Sequence, residues 1–310
     1  MAMSPERTIR ADGPVAEIAA SPSGNSLVTV PMSGLGVHIF DLPTFSSTFV
    51  NLDATDRVCC AALSADGTRF VVGRFDGDVQ VFDLKSRFSL QRSVAVDYAR
   101  CVAFHPSGRC VYVGGLDRGV RRVDLRTGRV EALATALEPR ITPSDVSRRI
   151  VSLAISPDGK DLVISTEAGT IVWNLESGSE RFSASPSVRV AISPDGRQMA
   201  IADERNAELW DLRKGQRLQI LFREDKTLGG CALVQFSSDG KFLAAGLRTA
   251  NEFPSYVAVW RTENYSRPRI FACHSGAIQA MCFLPATHIL VTAALDATIR
   301  VWDVDKLGEK

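Results

Sequence analysis

The sequence predicts an all-β fold of seven similar repeats, because two short elements recur along its 310 residues. The first element is a turn in which Pro presets φ, Asp hydrogen-bonds its own backbone and Gly accepts a positive φ. It occurs as Ser21–Gly24, Ser64–Gly67, His105–Gly108, Ser156–Gly159, Ser193–Gly196, Ser237–Gly240 and, in degenerate form, Leu284–Thr287. The second element is a strand end that follows each turn, at Ile39–Leu42, Val81–Leu84, Arg122–Leu125, Val172–Leu175, Leu209–Leu212, Val259–Thr262 and Val301–Val304.

The strands within a repeat change in character from first to last. The first strand is apolar nearly throughout, as in Val102–Phe104, which is typical of a strand covered on both faces. The second strand is also apolar. The third strand ends in an aromatic residue, or in an apolar one where the aromatic is replaced, and the fourth strand is more polar, as in Gln216–Leu221. A gradient from apolar centre to polar rim, with Trp302-Asp303 closing the last repeat, predicts a seven-bladed β-propeller of four-stranded antiparallel blades.

We expect one domain over residues 1–310, and the blades are predicted near 13–50, 56–95, 98–135, 149–184, 187–221, 229–272 and 276–304 plus 6–11. The last repeat ends after its third strand. Arg7–Arg10 is a strand-like piece that precedes the first repeat, and we predict that it completes the seventh blade beside Thr298–Trp302. Such closure removes the exposed sheet edges that promote aggregation.

Composition narrows the classes of function. The formal net charge is +1, with 36 Lys and Arg against 35 Asp and Glu, which argues against broad nucleic-acid binding. The seven Cys show no metal-binding spacing, so we expect neither a metal nor another cofactor, and a reducing, cytoplasmic location. No signal peptide or apolar window of membrane-spanning length is present in the sequence, so no membrane partner is expected.

The segment Gly276–Val304, with His274 just upstream, resembles the WD-repeat family, and the resemblance extends over essentially the whole chain. It implies a buried hydrogen-bonded set made of His274, Thr292, Asp296 and Trp302. In the other six repeats no His precedes the first strand, and Phe40, Phe82 and Val123 replace Trp in three of them. We therefore expect those repeats to be held mainly by apolar packing.

The resemblance also implies a non-catalytic scaffold for a protein or peptide partner rather than for a small molecule. Longer loops fall mostly on one face of the predicted propeller, where the second-to-third-strand loops and the connections between blades emerge, and loop-rich faces carry binding sites. We predict a contact patch on blades two to four, beside the insertion Ala136–Arg148. Its members are aromatic, aliphatic or Arg residues of the kinds that anchor interfaces: Arg57, Phe75, Tyr98, Leu116 and Arg149.

Several alternatives stay open. The patch could be an ordinary solvated rim, and the cluster Arg118, Arg121, Arg122, Arg126 and Arg129 could contact phosphate or an acidic partner rather than solvent alone. The chain could be a sensor or regulatory domain of a larger multidomain protein, or a propeller-type hydrolase or lactonase. No phosphate-loop, nucleophile-elbow or zinc-protease motif occurs, so the sequence favours a protein without catalytic residues.

Overall fold

The recurring turns form hairpins through a short hydrogen-bonded circuit. In Ser156–Gly159 the Ser156 hydroxyl donates to Asp158 at 2.6 Å and accepts the Asp161 backbone N–H at 2.9 Å. The Gly159 N–H donates to the Ser156 carbonyl at 2.8 Å, and Gly159 has a φ of 75°. A residue with Cβ is strained at that φ, which explains why each full copy of the turn ends in Gly.

In the computed structural model these hairpins build seven four-stranded sheets within the described residues, which are 4–21, 26–42, 44, 46–52, 57–84, 89–96, 99–115, 119–133, 149–166, 168–224, 228–249 and 254–306. In chain order the strands are β1 (Arg7–Arg10), β2 (Val15–Ala20), β3 (Ser26–Pro31), β4 (Gly36–Asp41), β5 (Ser47–Asn51), β6 (Val58–Leu63), β7 (Arg69–Arg74), β8 (Asp78–Asp83), β9 (Ser89–Ala95), β10 (Cys101–Phe104), β11 (Cys110–Gly114), β12 (Val120–Asp124), β13 (Val130–Leu133) and β14 (Ile150–Ile155). They continue as β15 (Asp161–Thr166), β16 (Gly169–Asn174), β17 (Ser179–Ala184), β18 (Arg189–Ile192), β19 (Gln198–Ala202), β20 (Asn206–Asp211), β21 (Gln216–Arg223), β22 (Leu228–Phe236), β23 (Phe242–Thr249), β24 (Ser255–Arg261), β25 (Arg269–His274), β26 (Ile278–Phe283), β27 (Ile289–Ala294) and β28 (Thr298–Asp303).

Six sheets use four consecutive strands, from β2–β5 to β22–β25, and the seventh combines β26, β27 and β28 with β1. Strand β1 pairs antiparallel with β28, from Arg7 opposite Val301 to Arg10 opposite Thr298. The Glu6 N–H extends this ladder to the Val301 carbonyl at 2.9 Å. The predicted all-β, seven-bladed β-propeller with an N-terminal strand completing the last blade is therefore confirmed.

A β-bulge recurs at the start of the innermost strand in five sheets of the described chain. The pairing with the second strand skips one residue in each case, between Val15/Glu17, Val58/Cys60, Ile150/Ser152, Cys231/Leu233 and Ile278/Ala280. The skipped residues are Ala16, Cys59, Val151, Ala232 and Gln279. A bulged residue leaves the ladder and turns the local strand, which re-aims side chains near the loop that precedes it.

The chain divides into two compact units, which are residues 1–33, 37–48 and 189–310 for the first and residues 34–36 and 49–188 for the second. In the first unit, one apolar core centres on Phe271, Leu290 and Trp302, and another on Leu27, Val291 and Ile299. In the second unit, one core centres on Ile150, Leu162 and Trp173, and another on Val71, Val111 and Val123. The expected single domain over residues 1–310 stays a prediction. The described part of the chain contains no helix long and apolar enough to cross a membrane.

Candidate partner-binding surface

Three exposed side chains, Leu35, Arg57 and Phe75, lie on joined loops of the second unit. The Arg57 carbonyl accepts the Phe75 N–H at 2.9 Å, and the N–H of Val58, the first residue of β6, donates to the Gly34 carbonyl at 2.9 Å. These two bonds connect the loops before β4 and between β7 and β8 to the start of β6. We call the three side chains the Leu35–Arg57–Phe75 surface.

Gly34 sets how closely the first of these loops approaches Arg57. Its φ is 68°, and a Cβ built on Gly34 would lie 2.7 Å from the Arg57 Cβ, which is shorter than the van der Waals contact distance between two carbon atoms. Only glycine fits there, so the backbone that leads into Leu35 lies against Arg57. Leu35 is 56% exposed and Phe75 is 49% exposed, values high enough for either side chain to lose much apolar surface against a partner.

The segment around Phe75 is anchored on both sides. The preceding Arg74 is buried, and its guanidinium lies 3.4 Å from the Asp76 carboxylate and 3.9 Å from that of Asp78. Asp76 also accepts the Asp78 backbone N–H at 2.9 Å, and the Ser93 hydroxyl donates to Asp78 at 2.6 Å. These contacts restrain the loop on both sides of the exposed aromatic ring of Phe75.

The structure brings together only part of the predicted patch. Arg57 and Phe75 lie on hydrogen-bonded loops, and Arg149 is exposed immediately before β14. Tyr98, Leu116 and the insertion Ala136–Arg148 fall outside the described residues, so the five-residue patch stays a prediction. The predicted five-residue patch did not include Leu35. The signal was the Gly34-Leu35 pair in a loop that precedes a strand, where glycine permits close approach.

A chain of hydrogen bonds joins the four residues that the family resemblance singles out. The Trp302 indole N–H donates to the Thr292 hydroxyl at 2.9 Å, and that hydroxyl donates to the imidazole Nε2 of His274 at 2.7 Å. The Nδ1–H of His274 donates to the Asp296 carboxylate at 3.1 Å. Every polar atom of this buried chain has a partner, which is the condition under which such a network stabilises a fold.

Charge in this network is concentrated on Asp296. Burial lowers the pKa of His274 to about 4 despite the nearby carboxylate, so the imidazole is neutral at neutral pH. Burial alone would raise the pKa of Asp296, but hydrogen bonds from Thr298 and Ser275 and the neighbouring imidazole hold it below its usual range. The network therefore contains one stable anion and no group with the pKa of a general base at neutral pH.

In other sheets the indole N–H of the Trp near the end of the third strand has a different hydrogen-bond partner or none. In the fifth sheet the Trp210 indole N–H donates to Glu208 at 2.9 Å, and Arg217 donates to the same carboxylate at 2.8 Å. In the fourth sheet the buried Trp173 indole nitrogen has no hydrogen-bond partner. Apolar packing is thus supplemented by an ion pair in the fifth sheet, a contact that the sequence analysis did not predict.

A second histidine of the first unit, His288, bridges two carboxylates at the opposite end of the strands of the seventh sheet. Its Nε2 donates to Asp239, in the turn of the sixth sheet, at 2.8 Å, and its Nδ1 donates to Asp305, just after β28. The hydrogen bonds from Asp239 and Asp305 raise the pKa of His288. The sequence analysis did not single out His288, because its partners are 49 and 17 residues away.

The described residues contain no group of three or more His, Cys, Asp or Glu side chains placed to hold a metal ion. The Leu35–Arg57–Phe75 surface offers an exposed cation beside two exposed apolar side chains.

Comparison with known proteins agrees with this architecture. The model of the WD domain, G-beta repeat (WD40), matches residues 46–83, 91–124 and 266–303, three stretches that each end at the third strand of a sheet. Protein groucho of Drosophila melanogaster is 27% identical over 162 residues, 51% of this chain and 21% of its own length. The mouse periodic tryptophan protein 2 homolog is 37% identical over 161 residues, 50% of this chain and 17% of its own.

The Set1 complex component swd1 of Schizosaccharomyces pombe is 30% identical over 76 residues, 24% of this chain and 18% of its own length. The chain thus spans about a fifth of the length of each of these three relatives. These similarities identify no individual member of the family. Three stretches of the chain thus match the WD40 model, and the seven four-stranded sheets show a seven-bladed β-propeller.

Proposed function

We propose that this chain is a non-catalytic scaffold that binds a protein or peptide partner through the Leu35–Arg57–Phe75 surface, with Arg149 and the predicted Tyr98 and Leu116 extending it. The observation that carries the proposal is the exposure of an aromatic ring and a leucine beside an arginine on hydrogen-bonded loops. Aromatic residues and Arg dominate binding energy at protein interfaces, and a fixed support lowers the entropy cost of binding.

The relatives support a role in assemblies. One of them is described as a component of a Set1 complex, and we extend that kind of role, membership of a protein complex, to this chain. A second candidate is a sensor or regulatory domain within a larger protein. It is supported by the three relatives, in which the aligned part is only 17–21% of the whole. The hydrolase or lactonase alternative has no supporting observation among the described residues.

The test is affinity capture with quantitative mass spectrometry, using the wild type and the separate variants Phe75→Ser and Arg57→Glu. We expect a specific partner whose recovery falls at least about tenfold with either variant, because truncating an interface anchor typically costs about 2 kcal/mol or more. Leu90→Ser is the matched control, since Leu90 is 51% exposed and lies on the outer strand β9 of the same unit.

Circular dichroism at the same concentrations confirms that each variant is folded. A partner lost with Phe75→Ser and Arg57→Glu but kept with Leu90→Ser supports the surface. Partners that are captured equally by all four proteins would show that the surface is not the contact site. Partners lost equally with Leu90→Ser would assign binding to the outer strands instead.

A further inference from the structure

A cleft of about 330 Å³ opens between the turn ends of the third and fourth sheets, both in the second unit. Tyr112 and Cys110 of β11 and Arg122 of β12 line it from the third sheet, and Lys160 and Glu176 line it from the fourth. Its volume is at the lower end of the range for small-molecule sites, about 300–1,000 Å³. The cleft is separate from the Leu35–Arg57–Phe75 surface and is not used by the proposed function.

The cleft is lined mainly by hydrogen-bond donors. Tyr112 is 4% exposed, and burial raises its pKa to about 12, so its hydroxyl keeps its proton. Arg122, directly opposite Tyr112 in the β11–β12 ladder, and Arg109, at the end of the turn, are always charged. A site with these groups is suited to a ligand that carries several acceptor oxygens.

The carboxylates near the cleft are already engaged. Asp158 accepts the Ser156 hydroxyl at 2.6 Å and the Lys160 backbone N–H at 3.1 Å, and Glu176 pairs with the Lys160 ammonium at 3.1 Å. Glu131 accepts a single nitrogen of Arg122 at 3.0 Å. Arg109 differs from these groups, because its guanidinium has no hydrogen bond or ion pair within the described chain. The cleft therefore offers one uncommitted cation and the remaining N–H groups of a second.

The two walls are fixed relative to each other by His105. Its Nδ1 accepts the Ser107 backbone N–H at 3.2 Å, so the proton lies on Nε2, which donates to the Gly159 carbonyl of the fourth sheet at 3.1 Å. A Cβ on Gly159 would lie 2.6 Å from the His105 ring, so glycine is required for this approach. The donors are thus held at a constant spacing without a ligand, as in a preorganised site.

We propose that this cleft binds a small phosphate-bearing ligand, with the guanidinium groups of Arg109 and Arg122 and the Tyr112 hydroxyl donating to the phosphate oxygens. A doubly charged tetrahedral anion matches two planar guanidinium forks better than a single carboxylate does. Lys160 also lines the cleft, and its ammonium can turn from Glu176 to the ligand. The ligand is either free phosphate or a phosphate monoester, which share this chemistry.

The test is isothermal titration calorimetry of the full chain with inorganic phosphate, O-phosphoserine and serine. Each compound is added up to about 10 mM so that weak binding is detected, and chloride is used to keep the ionic strength equal in all titrations. We expect the two phosphate compounds to bind and serine not to bind. In Arg109→Gln the affinity should fall at least about tenfold, because a charge-assisted hydrogen bond is lost. Arg129→Gln is the control, since Arg129 is an exposed cation that pairs with the same Glu131 but does not line the cleft.

Tighter binding of O-phosphoserine than of inorganic phosphate assigns the site to a phosphate monoester, and equal or weaker binding assigns it to free phosphate. The proposal is overturned if neither phosphate compound binds in this range. It is also overturned if Arg109→Gln and Arg129→Gln weaken binding equally, which would indicate attraction to the general charge of the surface. Thermal unfolding of both variants without ligand shows whether they keep the fold.

Discussion

Two histidines lie near the seventh sheet and differ in charge: His274 ends β25 of the neighbouring sixth sheet, and His288 directly precedes β27. His274 is buried, and one of its nitrogens faces a carboxylate while the other faces the Thr292 hydroxyl. His288 is only partly covered, and both of its nitrogens face carboxylates. A carboxylate only accepts hydrogen bonds, so His288 must be doubly protonated to make both, whereas a neutral imidazole satisfies the partners of His274.

The pKa shifts agree with this proton count. Burial lowers the pKa of His274 to about 4, and the single carboxylate does not offset the loss of water. The pKa of His288 is raised because hydrogen bonds to Asp239 and Asp305 outweigh a small burial effect. The comparison teaches that the carboxylate partners of a histidine and its burial act together on its charge. The extent to which water is excluded decides which effect is larger.

Thr292→Val should disrupt the buried hydrogen bonds around His274 and have the largest effect on the free energy of unfolding. It leaves the Trp302 indole N–H and the Nε2 of His274 without a partner, and we expect a loss of about 3 kcal/mol in the free energy of unfolding. Chemical denaturation provides the measurement. Thr292→Ser, which keeps the hydroxyl, should cost only about 1 kcal/mol.

NMR titration of His288 in Thr292→Val tests whether the surroundings of the two histidines are independent. We expect the pKa of His288 to be unchanged, because none of its partners is lost. Equal destabilisation by Val and Ser at position 292 would mean that the hydroxyl contributes nothing and that packing alone holds the surroundings of His274.

Ile164 extends the comparison to the fourth sheet. In the fourth sheet, Ile164 pairs with Ile171, which lies two residues before Trp173. In the seventh sheet, Thr292 pairs with Arg300, which lies two residues before Trp302. Ile164 therefore occupies the position that corresponds to Thr292. This explains why the Trp173 indole nitrogen has no acceptor. Replacing a buried Val by Thr normally costs about 1–3 kcal/mol. Between Ile164→Val and Ile164→Thr, measured by chemical denaturation, we expect a difference below about 0.5 kcal/mol, because the new hydroxyl accepts the Trp173 N–H.

Val113→Thr is the control for that pair. Val113 is buried at the matching position of the third sheet, where Val123 takes the place of Trp, so no indole N–H is present to use the hydroxyl. Val113→Thr should therefore lose the full amount of about 1–3 kcal/mol that burying an unpaired hydroxyl costs in the free energy of unfolding. A cost at position 164 as large as that at position 113 would contradict the assignment of Ile164 as the reason for the unpaired indole.

His288→Gln should have a small effect that depends on pH. The pKa of His288 is higher in the folded chain than in the unfolded chain, so its stabilisation is complete below the unfolded value of about 6.5 and is lost as pH rises through the folded value. We expect a contribution below about 1 kcal/mol, because solvent screens the partly exposed pair. Thermal unfolding between pH 5 and pH 9, in steps of about half a unit, measures it.

In His288→Gln this loss of stability with rising pH should be absent. His105→Gln is the control, because the imidazole of His105 contacts Ser107 and the Gly159 carbonyl and not a pair of carboxylates; it should keep the pH dependence of the wild type. A variant at position 288 that keeps the wild-type dependence would show that His288 does not carry the extra proton.

The sequence could predict the sheets because each is specified locally, by a turn such as Ser156–Gly159 and by the apolar run that follows it. Strand β1 could be placed because the last repeat lacked a fourth strand. The bridge at His288 could not be predicted, since it depends on how the turns of two neighbouring sheets meet. The same holds for the cleft, in which Arg109 and Lys160 are brought together by two different sheets.

The Leu35–Arg57–Phe75 surface falls between these cases. Arg57 and Phe75 could be proposed because both occupy repeat positions that face the same loops. Leu35 could not, because its exposure depends on the close approach of Gly34 to Arg57, which is a matter of backbone geometry. The unpaired indole of Trp173 was also missed, since the aromatic position looks the same in sequence whether or not Thr stands opposite.

The recurring bulge has a practical consequence for measuring partner binding. Cys59 is the bulged residue of β6, and it is the only one of the seven cysteines that is not buried. A maleimide dye should therefore react with Cys59 in preference to the others, and a bulged residue tolerates an added group because it makes no rung of the ladder. Since Arg57 is two residues away, the native chain already carries an attachment point for a fluorescent reporter beside the proposed contact surface.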